Sequence, residues 1–292
     1  MAETSFVENP SALLPEIPKE SRWSPTLAIA LVALTIFALT ATVCILQLHS
    51  ADYFIVHLLN SLARRSFVFD YTVRTLERDM FSNLLVLTLA WFVWFKHEEV
   101  MTRTGLLIGV ITAFLSGILS RGLQLALPTH LRPLHDPAIH FIVPYSVNPF
   151  SLNHWSSYPS DHAAVLFGIA MAIFLADRKI GTLAFACATV TNLVRIYLGF
   201  HYPSDILGGA MLGIFLVATT YSLRGRPSFQ RLADVSPARR PVFYAAAFYI
   251  CFGIVTLFTD VRDTASGFLH GLHHHPTAEQ RDTPDSTGTL TD

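Results

Sequence analysis

Charge is scarce in this chain. Only 14% of its 292 residues are Asp, Glu, Lys or Arg, where a water-soluble domain carries about 25%, so too little polar side chain is present to cover a solvent-facing surface. A basic excess is missing as well: 20 Lys and Arg stand against 21 Asp and Glu, a net charge of −1. That excludes binding to nucleic acid through a positive face. Cysteine is nearly absent, and Cys44, Cys187 and Cys251 all lie inside apolar runs. Neither a disulfide framework nor a zinc site is therefore expected. What fills the chain instead is apolar residue, 52% of it, with a mean hydropathy of +0.45. This composition excludes a disordered chain, a collagen-like repeat and a small secreted scaffold, and predicts an integral membrane protein.

A spanning helix needs roughly 20 mostly apolar residues, because in hydrocarbon the backbone must satisfy itself. Seven stretches meet or approach that length: Pro25–Leu48, Met80–Phe95, Thr104–Leu127, Pro159–Ala176, Ile180–Phe200, Ser204–Leu223 and Pro241–Thr259. The second is short and the fourth opens with polar residues. The first reads as a retained anchor rather than a cleaved signal, since acidic and Pro-containing residues precede it, the run is long, and no small-x-small site follows. The expected fold is all-α, a polytopic membrane helix bundle. Residues 1–24 form a cytoplasmic polar tail, 25–262 the membrane domain and 263–292 a disordered polar tail, whose His273–His275 cluster is read as solvated rather than metal-binding.

With the N-terminus inside, eleven Lys and Arg fall in cytoplasmic segments and six on the opposite side, apart from Arg121, Arg132 and Arg195 at span ends. This balance favours the N-in orientation. Between the first two spans, Phe54, Ile55, Leu58, Leu59 and Leu62 recur at helical spacing within Ala51–Asp79. Two readings of that segment stay open, an amphipathic helix on the outer membrane surface and a helix packed on the bundle.

Charge beside a membrane span is costly and is usually retained for function. Three such clusters occur: Arg121 with Arg132-Pro133, Tyr158-Pro159-Ser160-Asp161-His162, and Arg195 through His201 to Asp205. Alternating crossings bring all three out on the same, outer side. The tetrapeptide Tyr-Pro-Ser-Asp occurs at 158–161 and again at 202–205, each time opening an apolar helix. Pro at a first helical position and Ser or Asp at a cap account for that much. They leave unexplained the histidines flanking the two copies, His162 and His201. Two helix N-termini beside three arginines make an anion site, and guanidinium suits phosphate. In such a site His201 attacks phosphorus, Asp205 fixes its tautomer, His162 protonates the leaving oxygen, and the arginines hold the equatorial oxygens.

These residues resemble the type-2 phosphatidic-acid phosphatase superfamily, which shares its site with the vanadium haloperoxidases. The family pattern is Lys-x6-Arg-Pro, Pro-Ser-Gly-His and Arg-x5-His-x3-Asp. The third part is met by Arg195, His201 and Asp205, and the second as Pro159-Ser160-Asp161-His162, a form resembling some bacterial undecaprenyl-pyrophosphate phosphatases. The resemblance runs from about residue 119 to 209. It implies a six-helix phosphatase core, so Pro241–Thr259 is one C-terminal transmembrane helix more than the core needs. It implies His201 as phosphorylated nucleophile, Asp205 as its partner, His162 as acid, and Arg132, Arg195 and Ser160 as phosphate ligands, with no metal or other cofactor. The family lysine would fall at Leu125, so its charge is expected from Arg121 or from His130. Asp161 replaces the common Gly and is read as stabilising the helix start. The loop Leu134–Ser157, with His135, Asp136, His140, Tyr145, His154 and Trp155, reads as a cover for the site, as a headgroup-binding segment or as a structural loop. The expected activity is hydrolysis of a lipid phosphate or pyrophosphate through a phosphohistidine at the outer leaflet of a bacterial inner membrane, undecaprenyl pyrophosphate being the leading substrate. Phosphatidate or phosphatidylglycerol-phosphate hydrolysis, lipid phosphotransfer and, from another class, anion transport are the alternatives.

Overall fold

The computed structural model describes residues 24–77, 79–145, 147–153 and 155–255. The tails read at 1–24 (all but Ser24) and 263–292, the His273–His275 cluster and His154 lie outside the described residues. The described chain is helical, with α1 Pro25–Ile45, α2 Ser50–Asn60, α3 Phe67–Glu77, α4 Asp79–Lys96, α5 Val100–Ala126, α6 Asp161–Ala176, α7 Arg178–Tyr197, α8 Pro203–Thr220, α9 Pro227–Ala233 and α10 Arg240–Val255. Each of the seven stretches expected to span corresponds to a helix, the last followed only to Val255. Four helical segments are long and apolar enough to cross a membrane, namely Pro25–Ile45, Val100–Ala126, Arg178–Tyr197 and Pro203–Gly225, while Asn83–Lys96 and Asp161–Ala176 are apolar but shorter. The chain is an integral membrane protein.

The bundle is sorted inside-out relative to a soluble one. Along α5 the buried face is a stripe of small and polar residues, among them Gly105, Gly109, Thr112, Ala113, Ser116, Gly117 and Ser120. Ile111, Leu115 and Ile118 point outward and are about half exposed. Lipid tails solvate Leu and Ile as well as a core does, so association rests on close backbone approach through small residues. That approach is close where α8 crosses α6. A Cβ on Gly209 would collide with the Ser160 carbonyl, and one on Gly213 with the Ala164 carbonyl. α6 is buried along most of its length, from Ala163 to Ile173. It packs against α5, α7 and α8, with α1 on the far side of α8. The C-terminal α10 rests on α4, where Trp94 Nε1 donates to Tyr244 Oη at 3.4 Å and Phe243 stacks on Trp94.

At one end of the bundle Asp177 caps α7, accepting from the Lys179 and Ile180 amides at 3.1 and 3.2 Å and from Lys96 Nζ at 2.6 Å. The Lys96 bond holds its carboxyl well below the usual range. At the other end lie α2 and α3, which resolve the open segment Ala51–Asp79 into two helices. Their polar residues face the bundle (Asp52 and Asn60 from α2, Asp70 and Glu77 from α3), while Phe54, Leu58, Phe67, Val68 and Tyr71 are exposed. Both readings of the segment hold a part: the pair packs on the bundle through polar groups and turns an apolar face outward. Asp52 accepts from the Ser204 amide and hydroxyl at 2.9 and 2.6 Å, pinning α2 to the start of α8. Asp70 accepts from Tyr197 Oη at 2.5 Å, pinning α3 to the end of α7.

Candidate active site

α7 stops at Tyr197, three residues short of the sequence expectation, because Gly199 takes a φ of +77° that ends the helical path. Its carbonyl accepts from the Leu134 amide at 2.9 Å, which lays the Arg132-Pro133 segment along the link that carries His201. Pro203 then opens α8. His201 is 1% exposed in this link. Its Nδ1 lies 3.1 Å from the Ser157 carbonyl oxygen. A carbonyl only accepts, so the ring proton sits on Nδ1 and the lone pair on Nε2. The carboxylate of Asp205 stands further off, with Oδ2 3.8 Å from Nδ1. The tautomer therefore falls to a backbone carbonyl in the first place, with Asp205 behind it. Burial, reinforced by the Arg132 charge, pushes the His201 imidazole down to about 4.

Arg132 faces the nucleophilic nitrogen. Its Nη1 is 3.4 Å from His201 Nε2. Three backbone carbonyls hold the guanidinium there: Trp155 at 3.2 Å from Nε, Ser156 at 3.2 Å from Nη2, and Phe200 by a short bond from Nη1. Burial lowers this guanidinium to about 10, so it stays cationic at neutral pH. Arg195 is also buried, 3% exposed, and its Nη2 lies 3.0 Å from Glu77 Oε1. Glu77 in turn pairs with Arg74, whose guanidinium lies over the Phe200 ring.

Asp205 is fully buried and carries three partners besides His201. Its Oδ2 accepts from the Tyr202 amide at 2.7 Å, its Oδ1 faces His130 Nδ1 at 3.1 Å, and its backbone carbonyl accepts from the Ser160 amide at 3.0 Å. The last bond joins the two Tyr-Pro-Ser-Asp copies directly. His130 also meets the Ser157 hydroxyl at 2.7 Å and packs against the His49 and Tyr202 rings.

The first copy contains a cis Tyr158-Pro159 peptide. Its Pro159 carbonyl is held from α5 by Ser120 Oγ at 3.0 Å and Gln124 Nε2 at 2.7 Å. Ser160 caps α6, its Oγ accepting from the Ala163 amide at 3.4 Å. Asp161 Oδ1 accepts from both the His162 amide and His162 Nδ1, each at 2.9 Å. Arg121 reaches toward the same carboxylate, Nη1 to Oδ2 3.9 Å, donates to Gln124 Oε1 at 2.6 Å and lies 3.7 Å above the Trp155 ring. Leu125, at the lysine position of the resembled pattern, is 78% exposed and belongs to the outer face of α5.

The seven residues singled out from sequence thus gather at one end of the bundle, linked through Arg132–His201, His201–Asp205, Asp205–Ser160, Arg121–Asp161 and Asp161–His162, with Arg195 joined to α3. Two contributors go unread in the sequence. Glu77 and Ser157 lie in segments read only as helix and loop. A hint was available for Glu77: Asp52, Asn60, Asp70 and Glu77 recur at helical intervals within an apolar stretch, the pattern of a helix pair with its polar side turned inward. The loop 134–157 frames the site rather than merely connecting helices, since its carbonyls at Trp155, Ser156 and Ser157 hold Arg132 and His201.

Residues 104–228 match the PAP2 superfamily. Over 139 residues the chain is 28% identical to the bacitracin transport permease protein BcrC of Bacillus licheniformis, covering 47% of this chain and 63% of that one. It is 31% identical over 85 residues to the undecaprenyl-diphosphatase BcrC of Bacillus subtilis, covering 29% and 40%. To the lipid A 1-phosphatase of Rhizobium johnstonii it is 27% identical over 139 residues, covering 47% and 54%. The matches span less than two thirds of the length of each of these relatives. Over residues 104–228, somewhat under half of its length, this chain is similar to the PAP2 superfamily.

Proposed function

We propose that the chain is a membrane lipid phosphatase acting through a phosphohistidine. The observation that carries this reading is the 3.4 Å approach of the Arg132 guanidinium to the unprotonated Nε2 of His201. Burying the Arg132 and Arg195 charges is costly, and an arriving phosphate beside two helix starts offsets that cost. In the reaction, Nε2 forms a P–N bond as the bond from phosphorus to the leaving oxygen breaks, and His162 gives that oxygen a proton. Water then attacks the phosphohistidine. His162 takes the water's proton, the P–N bond breaks, and inorganic phosphate and free His201 result. Arg132, Arg195 and Ser160 hold the equatorial oxygens. Arg121 supplies the charge that Leu125 does not, while His130 is engaged with Asp205 and Ser157.

The leading substrate is an isoprenoid pyrophosphate such as undecaprenyl pyrophosphate, a choice supported by the name of the Bacillus subtilis relative. The site faces the outer leaflet of a bacterial inner membrane, on the balance of eleven against six basic residues with the N-terminus inside. The test is phosphate release by the purified protein from a panel of prenyl pyrophosphate, phosphatidate, phosphatidylglycerol phosphate and lipid A. Turnover of the prenyl pyrophosphate above the others, inhibited by vanadate and unaffected by EDTA, is the expected result. Turnover lost in EDTA, or no phosphate released from any of the four, would overturn it.

A further inference from the structure

We infer that Asp161 is a positioning residue for the general acid: it holds the His162 imidazole by Nδ1 and stabilises the imidazolium that delivers the proton. The inference rests on the phosphatase reading and assigns a role to the position where this chain departs from the resembled pattern. The contact is direct, since Asp161 Oδ1 lies 2.9 Å from Nδ1 and also takes the His162 amide at 2.9 Å. One oxygen accepting from both groups of the next residue fixes the direction of the ring. With Nδ1 bonded to a carboxylate, Nε2 is the nitrogen that transfers the proton. A helix cap alone needs none of this, and Ser160 already caps α6 through the Ala163 amide.

Asp161 is itself held from outside its helix. Its Oδ2 lies 3.9 Å from Arg121 Nη1. Arg121 donates to Gln124, and Gln124 donates to the Pro159 carbonyl. The chain Pro159–Gln124–Arg121–Asp161–His162 thus returns to the segment that begins α6, and it fixes the acid to α5. The same arrangement offsets the repulsion between this carboxylate and a phosphate dianion beside it. The Asp161 charge is shared between His162 and Arg121, with Arg132 and His201 also within its field.

When the acid acts, the proton leaves His162 Nε2 for the leaving oxygen, the P–O bond breaks, and the ring becomes neutral beside Asp161. Removing the carboxylate's charge should therefore matter in proportion to how much the leaving group needs a proton. Good leaving groups such as p-nitrophenolate depart with little help, whereas an alkoxide does not. The experiment compares kcat/KM, which reports the first chemical step, for p-nitrophenyl phosphate and for an alkyl or lipid monophosphate in wild type, Asp161→Asn and Asp161→Gly. Gly is the residue the family pattern carries at this place, so the second variant guards against a folding defect in the first. Both substitutions should lower kcat/KM for the alkyl ester at least tenfold more than for the aryl ester. In a His162→Ala background the added Asp161→Asn change should have no further effect on that ratio. Equal losses on both esters, or an unchanged effect of Asp161→Asn without His162, would overturn the inference while leaving an active phosphatase. A wild-type chain that hydrolyses neither these esters nor prenyl pyrophosphate would remove the phosphatase reading and this role together.

Discussion

His201 is a neutral imidazole at physiological pH because it is buried beside Arg132, and its proton is kept on Nδ1 by the Ser157 carbonyl. Protonation of Nε2 would abolish nucleophilicity, so activity falls as pH drops through the imidazole's value in the free protein. With that value at about 4, rather than the roughly 6.5 of an exposed histidine, kcat/KM should be flat from pH 7 down to near 5 and then decline. An acidic limb centred near 6.5 would contradict the buried-nucleophile account. Arg132 presents a related test. Lysine keeps the charge but lacks the planar fork that meets the carbonyls of Trp155, Ser156 and Phe200 together. Arg132→Lys should therefore cost about 10²–10³ in kcat, the scale of losing a donor to developing charge, and recovery of wild-type turnover would show that charge alone suffices. At this scale the sequence was informative about side chains and silent about backbone. Arg132, Arg195, His201 and Asp205 stand out as ionisable groups at membrane boundaries. The carbonyls that orient them carry no residue signature, and Ser157 was read only as the end of a loop.

The helices were legible because hydrocarbon demands long apolar runs, and each expected span coincides with a helix to within a few residues. The α7 terminus differed through Gly199, whose positive φ is a property of the turn and not of hydrophobicity. Less legible was the α2–α3 pair, since an apolar stripe looks the same whether it faces protein or lipid. What decides is the polar side. Asp52, Asp70 and Glu77 find Ser204, Tyr197 and Arg195 on α8 and α7, contacts distant in sequence. Glu77 carries the most at this level, because it sits between two arginines. Breaking a buried ion pair by removing one side costs about 3–5 kcal/mol, so Glu77→Ala should lower the thermal midpoint in detergent and reduce phosphate affinity through Arg195. Glu77→Gln, which retains an acceptor, should restore part of the stability. Equal midpoints for wild type and Glu77→Ala would show that the α3 clamp is dispensable.

For the whole molecule, function depends on which end of the bundle faces which compartment. Asp177 with Lys96 marks one end, and the His201 cluster with α2 and α3 marks the other. If the N-terminus is inside, a cysteine introduced by Arg65→Cys, in the α2–α3 turn, is modified by a membrane-impermeant maleimide in intact cells, whereas one introduced by Arg226→Cys is not. The reverse labelling pattern would put the site on the cytoplasmic face. Beyond orientation, the bundle brings residues from 77 to 205 to one end, and the proposal that they serve a single anion site is the claim on which the enzymatic reading stands. It is tested most directly by rapid quenching of the protein with ³²P-labelled lipid phosphate. The account predicts an acid-labile, alkali-stable label on the protein, present in wild type and absent in His201→Ala, which also releases no phosphate. Continued turnover by His201→Ala, or label retained in that variant, would contradict it.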